Sequence, residues 1–336
     1  MKVLTVLVPT YNVEKYLRRC LDSLLLPEVL EEIEVLVVND GSKDGSADIA
    51  RAYEKKYPQT VVFVDKENGG HGSTINVGIE KAQGTYFKVL DSDDWVNIGD
   101  FIEFVKRLKE ETADAVICDY RKEHVYNGKS EYFEYKDLED GKKYNLNEID
   151  LNILHGEYFM MATTTYRTEV LRASGLKMLE KTFYVDMQYN IVPITKVDTF
   201  AYYHLDIYRY FIGRADQSVN ESIMVKRVDQ QLRVTRHMID CQDLDALKGE
   251  KKLRAYMLHY LSMMMAVSDI FLLLDGSAEA KEKQKGLWQY LREHTSAAVY
   301  RSIRFGFGGV TNLPFPKGDA IVVGGYRIAR KIFKFN

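Results

Sequence analysis

"KVLDSDDW", residues 88–95, ends an apolar run in three aspartates spread over four positions. Carboxylates that close together repel one another, so something must compensate them. A bound hard cation, a shared proton, or solvation with one acid capping the next helix would each do so. The alternation in Asp91-Ser92-Asp93 favours a cation, because Mg2+ and Mn2+ take oxygen ligands and complete their shells with water and substrate phosphate. D-x-D alone is frequent by chance, so its reading depends on the surrounding sequence.

Working outward, apolar runs rich in Val and Ile recur at 3–9, 33–40, 60–65, 85–91 and 113–119. Between them lie amphipathic stretches. In 13–25, Val13, Tyr16, Leu17, Cys20, Leu21 and Leu24 follow helical spacing; in 46–57, Ile49, Ala50, Tyr53 and Tyr57 do so, with Ser46 as the expected N-cap. Strand–helix alternation at this spacing predicts a parallel sheet covered on both faces. Ligands in such sheets bind beyond the C-terminal ends of the strands. The polar segments there are "PTYN" (9–12), "NDGSKDGS" (39–46) and "DSDD" (91–94). Pro9 is expected to end the first strand, leaving Thr10 and Tyr11 available to a base. Asp40 can accept from a uracil N–H or a ribose hydroxyl, although Asp-Gly is also an ordinary turn pair.

Residues 120–210 are rich in Tyr, suited to sheet packing or to stacking on sugar rings. Asn127-Gly128 between β-prone flanks predicts a hairpin over 123–135, and 199–211 reads as one or two strands. Helices are expected over 222–242, 250–274 and 279–294, broken at "DGS" (275–277). Their Met- and Leu-rich faces could serve a homo-oligomer. The division expected is a domain over 1–220, a helical region over 221–299 and a basic tail over 300–336.

Hydrophobic residues are 46% and charged residues 28% of the 336, a globular composition. A net charge of −3 gives no electrostatic case for nucleic-acid binding. Residues 300–336 nevertheless hold seven Lys/Arg against Asp319 alone. In "YRIARKIFKF" (326–335), Arg327, Arg330, Lys331 and Lys334 share one helical face and Ile328, Ala329, Ile332 and Phe333 the other. That pattern suits an anionic membrane surface, or a docked helix with a solvated basic face. The apolar stretch 261–274 is too short to span a bilayer and carries Asp269. The N-terminal run reads as a buried strand rather than a signal peptide. Cys20, Cys118 and Cys241 form neither a disulfide framework nor a metal cluster. The expected location is cytoplasmic, with a peripheral position on the inner face of the membrane if the tail binds lipid.

"VPTYN", "VVNDGSKDGS", "ENGGHGSTINVGIEKAQGTYFKVLDSDDW" and "FYVDMQYN" (183–190), in that order, resemble the family 2 glycosyltransferases. The resemblance is close over about 1–120 and thinner to about 220. It implies a GT-A fold, that is, an α/β, mostly parallel central sheet with helices on both faces, here with a C-terminal helical region. It also implies a nucleotide-sugar donor, usually UDP-linked, and Mn2+ or Mg2+. By position, Pro9, Thr10 and Tyr11 would line the nucleotide and Asp40 would contact the base. Asp91 and Asp93 would hold the metal, with Asp93 the direct ligand, and Ser92 and Asp94 would stand on the sugar side. Asp94 could equally cap the next helix. Asp186 matches the catalytic base, and a helix N-cap is its structural alternative.

Three departures qualify the resemblance. Many members read "ARN" where this chain has "TIN" (74–76), so Ile75 replaces an arginine near the nucleotide; His71 or Lys66 could compensate. The usual Glu-Asp pair is Val185-Asp186. The Q-x-x-R-W signature of processive members is absent, which implies one sugar per event. Arg214, in "YRYFIGRADQSV" (208–219), could pair with diphosphate or lie on the surface. By the same resemblance, 155–171 would border the acceptor, a glycan or a lipid-linked glycan of cell-surface or teichoic-type polymers.

Rival readings are a nucleotidyltransferase, which would need a Gly-rich basic loop after the first strand, and a catalytically inactive glycan- or membrane-binding module. A dinucleotide dehydrogenase lacks its G-x-G-x-x-G, and "NGKS" (127–130) lacks the spacing of a P-loop.

Overall fold

The computed structural model describes residues 2–124, 127–148, 158–213, 221–313 and 318–333, with side chains up to Ile328. It divides into two compact units, 1–213 and 214–336.

In the first unit, the Val/Ile runs become β1 (Leu4–Thr10), β2 (Ile33–Asn39), β3 (Val61–Asp65) and β4 (Tyr86–Val89). They pair in parallel in the order β3-β2-β1-β4. Both faces of β1 and β2 are buried, which is why their sequences read as near-continuous apolar runs. Leu4, Val6 and Val8 face a core shared with α1 (Leu17–Leu24), α2 (Ser46–Lys56) and α4 (Ile98–Leu108). On the opposite face lies α3 (His71–Lys81), so close that a Cβ on Gly78 would meet Leu7 Cδ2 at 2.7 Å.

Pro9 does not end β1. The strand runs to Thr10, with Pro9 in register with Val38. In a parallel ladder a residue's N and O point the same way; Leu7 O accepts from Leu90 N on the β4 side, whereas Thr10 O accepts from Asp40 N on the β2 side. The nitrogen of Pro9 therefore faces β4, whose pairing has already stopped at Val89. The missing N–H costs nothing there.

Beyond β4 the sheet is mixed. β6 (Ala115–His124) and β10 (Thr199–Ile212) are parallel, and β9 (Thr164–Arg167) is inserted antiparallel between β4 and β6. β5 (Trp95–Val96) and β8 (Lys143–Asn145) pair antiparallel with β10. β7 (Ser130–Phe133) returns antiparallel along β6 past Gly128, whose φ of +62° suits the expected turn. Tyr120, Tyr202, Tyr203 and Tyr208 are buried, so these rings serve sheet packing. α5 (Thr168–Ala173) and α6 (Asp186–Ile191) complete the unit.

The second unit is helical: α7 (Glu221–Lys226), α8 (Val228–Asp240), α9 (Lys251–Asp275), α10 (Ala278–His294), α11 (Ala297–Arg304) and α12 (Gly318–Phe333). The single helix expected over 222–242 is broken at Arg227, which leaves helical geometry at φ −106° and ψ 19°. Left-handed Gly276 ends α9, and Ser277 Oγ caps α10 by accepting from Ala280 N. Met257, Met264 and Met265 are buried inside this unit. Their side chains help to build the unit's own core. α9 is long and apolar enough to cross a membrane, and 67% of that apolar window is buried, as in the core helix of a globular unit.

Candidate active site

The C-terminal ends of β1, β2 and β4 lie side by side, so the loops that follow them open on one edge of the sheet. Asn12 ties two of these loops together: left-handed at φ 51°, it accepts from Lys43 N at 2.7 Å and donates its own N–H to Ser42 Oγ at 3.0 Å. Ser46 is not the N-cap of α2. It is the first helical residue, and its Oγ accepts from Val13 N at 2.9 Å. Of the three residues expected at the nucleotide, Tyr11 is half exposed, whereas Pro9 and Thr10 are buried and Thr10 Oγ1 donates to Val8 O.

The three aspartates after β4 are compensated in three different ways. Asp94 is fully buried; Tyr208 OH donates to one of its oxygens at 2.6 Å and Phe211 N to the other at 2.8 Å. Burial and the neighbouring Asp93 and Asp91 push its carboxyl well above the usual range. Asp94 thus pins the loop to β10 through both carboxylate oxygens, and the N-cap of α4 is Asn97. Asp93 is half-buried, and its backbone oxygen accepts from Arg19 Nη2 at 2.8 Å. The Arg19 guanidinium lies 3.8 Å from the Trp95 ring centre and 4.4 Å from that of Phe211. Asp91, one-third exposed, sits 3.2 Å from His71 Nε2. Ser92 is buried.

Asp40 is 2% exposed and locked. Gly69 N and Gly70 N each donate to its carboxylate at 2.8 Å, and Lys66 Nζ does so at 2.7 Å. Lys66 also donates to Ser73 Oγ and Glu67 O. Lys66 is therefore committed to shaping the 66–70 loop. Ile75, where the resemblance would place an arginine, is buried in the core. His71, at the start of α3, faces the acidic loop with its Nε2 3.2 Å from Asp91.

The 178–186 segment is clasped onto α3. Asn76 and Met178 exchange two hydrogen bonds, at 2.8 and 3.0 Å, and Lys181 N donates to Gly69 O at 2.5 Å. Gly72 has no room for a side chain, since a Cβ would lie 2.2 Å from Leu179 O. Lys181 and Tyr184 are left-handed, at φ 52° and 64°, an uncommon conformation for large side chains. Asp186 follows as the first residue of α6, one position past the N-cap Val185.

Asp186, Asp91 and Asp93 all act electrostatically on His71. Burial pulls the imidazole down, but these carboxylates, Asp91 foremost, more than offset it, and its pKa is raised. Burial raises Asp186; His71 and the N–H groups of Asp186 and Met187 pull it back, while Asp91 raises it further. Tyr210 of β10 feels Asp94, Asp91, Asp93 and Asp186 together; burial and these charges push its phenol up. The D-x-D pair and Asp186, about a hundred residues apart in sequence, thus lie near enough to His71 and Tyr210 to act electrostatically on both. Arg214 and residues 155–157 lie outside the described residues.

Residues 5–170 match the family model for glycosyl transferase family 2. This segment is a family 2 glycosyltransferase domain. EpsH of Bacillus subtilis is 41% identical over 126 residues, 38% of this chain and 36% of EpsH. GgaB of Bacillus subtilis, a minor teichoic acid biosynthesis protein, is 41% identical over 98 residues, 29% of this chain and 11% of GgaB. The chain spans well under half the length of these relatives. S. aureus TarS 1-349, crystallised with UDP-GlcNAc, has the same fold at TM-score 0.67 and 18% identity, over 98% of this chain and 92% of that one. The GT-A architecture with a C-terminal helical region is thus the one expected. In this glycosyltransferase domain, sequence reasoning missed Tyr210, Arg19, Gly72 and Asn76. The available signal was "TIN" itself, in which Asn76 is retained although the arginine is not.

Proposed function

We propose that the chain is an inverting glycosyltransferase that moves a sugar from a nucleotide-sugar, a UDP-sugar in the simplest case, to a hydroxyl of a glycan or lipid-linked acceptor in bacterial cell-surface polysaccharide synthesis. One observation carries the reading: Asp91, Asp93 and Asp186 bear on the same imidazole, that of His71. On this reading a leaving-group side and a base side would flank that imidazole. The family 2 domain and the teichoic acid role in the name of GgaB support the reaction class and the setting. The UDP-GlcNAc and UDP bound to TarS support a UDP-linked donor.

Asp91 and Asp93 would hold Mn2+ or Mg2+. Both carboxylates are hard oxygen donors, partly exposed at the end of β4. Among the described residues no three His, Cys, Asp or Glu side chains form a metal cluster, so water and the donor's diphosphate would complete the shell. When bound, the cation supplies Lewis-acid stabilisation of the departing diphosphate. His71 takes over the charge of the family arginine, holding Asp91 in place beside the diphosphate. Tyr11 offers its ring to the base, while Asp40 acts indirectly, by fixing the 66–70 loop. Asp186 accepts the proton of the acceptor hydroxyl, and its raised pKa makes it the stronger base at neutral pH. Attack from that side, opposite the leaving group, inverts the anomeric centre.

The test is release of UDP from a panel of UDP-sugars with Mn2+, with and without excess chelator. Slow hydrolysis of one donor, abolished by the chelator, is expected. Thermal protection by UDP with hydrolysis of no donor would make the chain a binding module. Consumption of a nucleoside triphosphate with release of pyrophosphate would make it a nucleotidyltransferase.

A further inference from the structure

Among the described residues nine large apolar side chains are exposed, and five of them fall between 305 and 328. Phe305 is 81% exposed, Phe307 54% and Val310 59%. They sit on a tightly packed turn, with the Phe307 ring 5.6 Å from that of His259. A Cβ on Gly306 would lie 2.4 Å from Ser302 O, and one on Gly309 would lie 1.8 Å from Arg304 O, so the backbone is packed against the end of α11. Thr311 Oγ1 pins the far side of the turn by donating to buried Asp269 at 3.0 Å. Nearby, α12 is tied down by Tyr326, whose OH donates to Glu221 at 3.0 Å. It leaves Ile321 and Ile328, seven residues apart and hence on one face, 57% and 61% exposed.

The same segment carries the basic excess of the chain. Arg301 precedes Phe305 by one turn and Arg327 adjoins Ile328, both exposed, while the one acid of the tail, Asp319, faces Lys281 Nζ at 3.5 Å. Braced apolar side chains beside exposed arginines match a surface whose interior is hydrocarbon and whose rim is anionic. A second copy of the chain would bring like charges together.

We propose that Phe305, Phe307 and Val310, together with the Ile321 and Ile328 face of α12, dock on an anionic lipid bilayer, with Phe305, Phe307 and Val310 entering the acyl boundary and Arg301 and Arg327 among the headgroups. The test is flotation of the full chain with phosphatidylglycerol-containing and with pure phosphatidylcholine vesicles. Binding to the anionic vesicles, weaker by about tenfold or more for phosphatidylcholine, is expected. The double variant F305S/F307S should lose about tenfold or more of that binding with its thermal transition unchanged. The variant R301S/R327S should lose the preference for anionic lipid. Equal flotation with both lipids, or none, overturns the proposal. So does an unaltered F305S/F307S, or a variant that loses flotation only because it converts a dimer to a monomer in sedimentation.

Discussion

Replacing Gly72 by alanine probes whether the 178–186 segment positions Asp186. The added Cβ would stand 2.2 Å from Leu179 O and 3.0 Å from Met178 Cβ. Carbon–oxygen contact begins near ~3.3 Å, so Leu179 must retreat by roughly 1 Å. It cannot retreat alone. Met178 is held by Asn76, Leu179 N donates to Gln188 Oε1 at 3.0 Å, and Lys181 N donates to Gly69 O. The displacement therefore passes into α6, which begins at Asp186, while Asp91 and Asp93 stay fixed by β4 and β10. Overpacking of this kind costs about 1–3 kcal/mol of stability. A ~1 Å misplacement of a reacting group costs on the order of 10²-fold in rate. Steady-state UDP release should accordingly show kcat lower by about two orders of magnitude, with a smaller change in donor KM. Thermal unfolding should show a folded, modestly destabilised protein. If Gly72→Ala turned over within about twofold of the native chain while losing the expected stability, the clasp would not position the base.

Further outcomes separate the roles of neighbouring residues. His71→Ala should lower kcat/KM by roughly 10²-fold with little loss of stability, whereas Lys66→Ala, which strips a partner from buried Asp40, should cost about 1–3 kcal/mol in urea unfolding. Tyr208→Phe removes a donor from fully buried Asp94 and should likewise cost about 1–3 kcal/mol, measured by the same unfolding. In the helical unit, burial raises Asp269 from 3.8 to about 7, against hydrogen bonds from Trp288, Thr311 and Gln284 and the charge of Arg304. The folded state thus holds this proton more tightly than the unfolded chain. The Asp269 contribution to stability should be greatest below about pH 4, fall by roughly 1.4 kcal/mol per pH unit up to about pH 7, and level off above. Trp288 donates to Asp269 at 2.9 Å, so its fluorescence, in a W95F background, reports both the titration and the unfolding; Asp269→Asn should abolish the slope.

The half of the sheet that carries the site was legible because β1, β2 and β4 are buried on both faces and β1, β2 and β3 are each followed by a helix. β9 was not, since "TTYR" is four residues without apolar periodicity, and its place between β4 and β6 is set by partners far away in sequence. Pro9 misled because a rule about ladder donors depends on which side the nitrogen faces. Asp91, Asp93 and Asp186 were readable as a set, but their division of labour with Asp94 was not. Asp94 differs from its neighbours only by the hydroxyl of Tyr208 and the amide of Phe211, more than a hundred residues on. Tyr210 and Arg19 act through rings and charges that no local spacing announces.

The central claim is that Asp186 takes the acceptor's proton across the sugar from Asp91 and Asp93. The most direct measurement is transfer by Asp186→Asn beside calorimetric binding of the same donor with Mn2+. The account predicts donor affinity near that of the native chain and transfer reduced by at least about 10²-fold. Substantial transfer by that variant would contradict it.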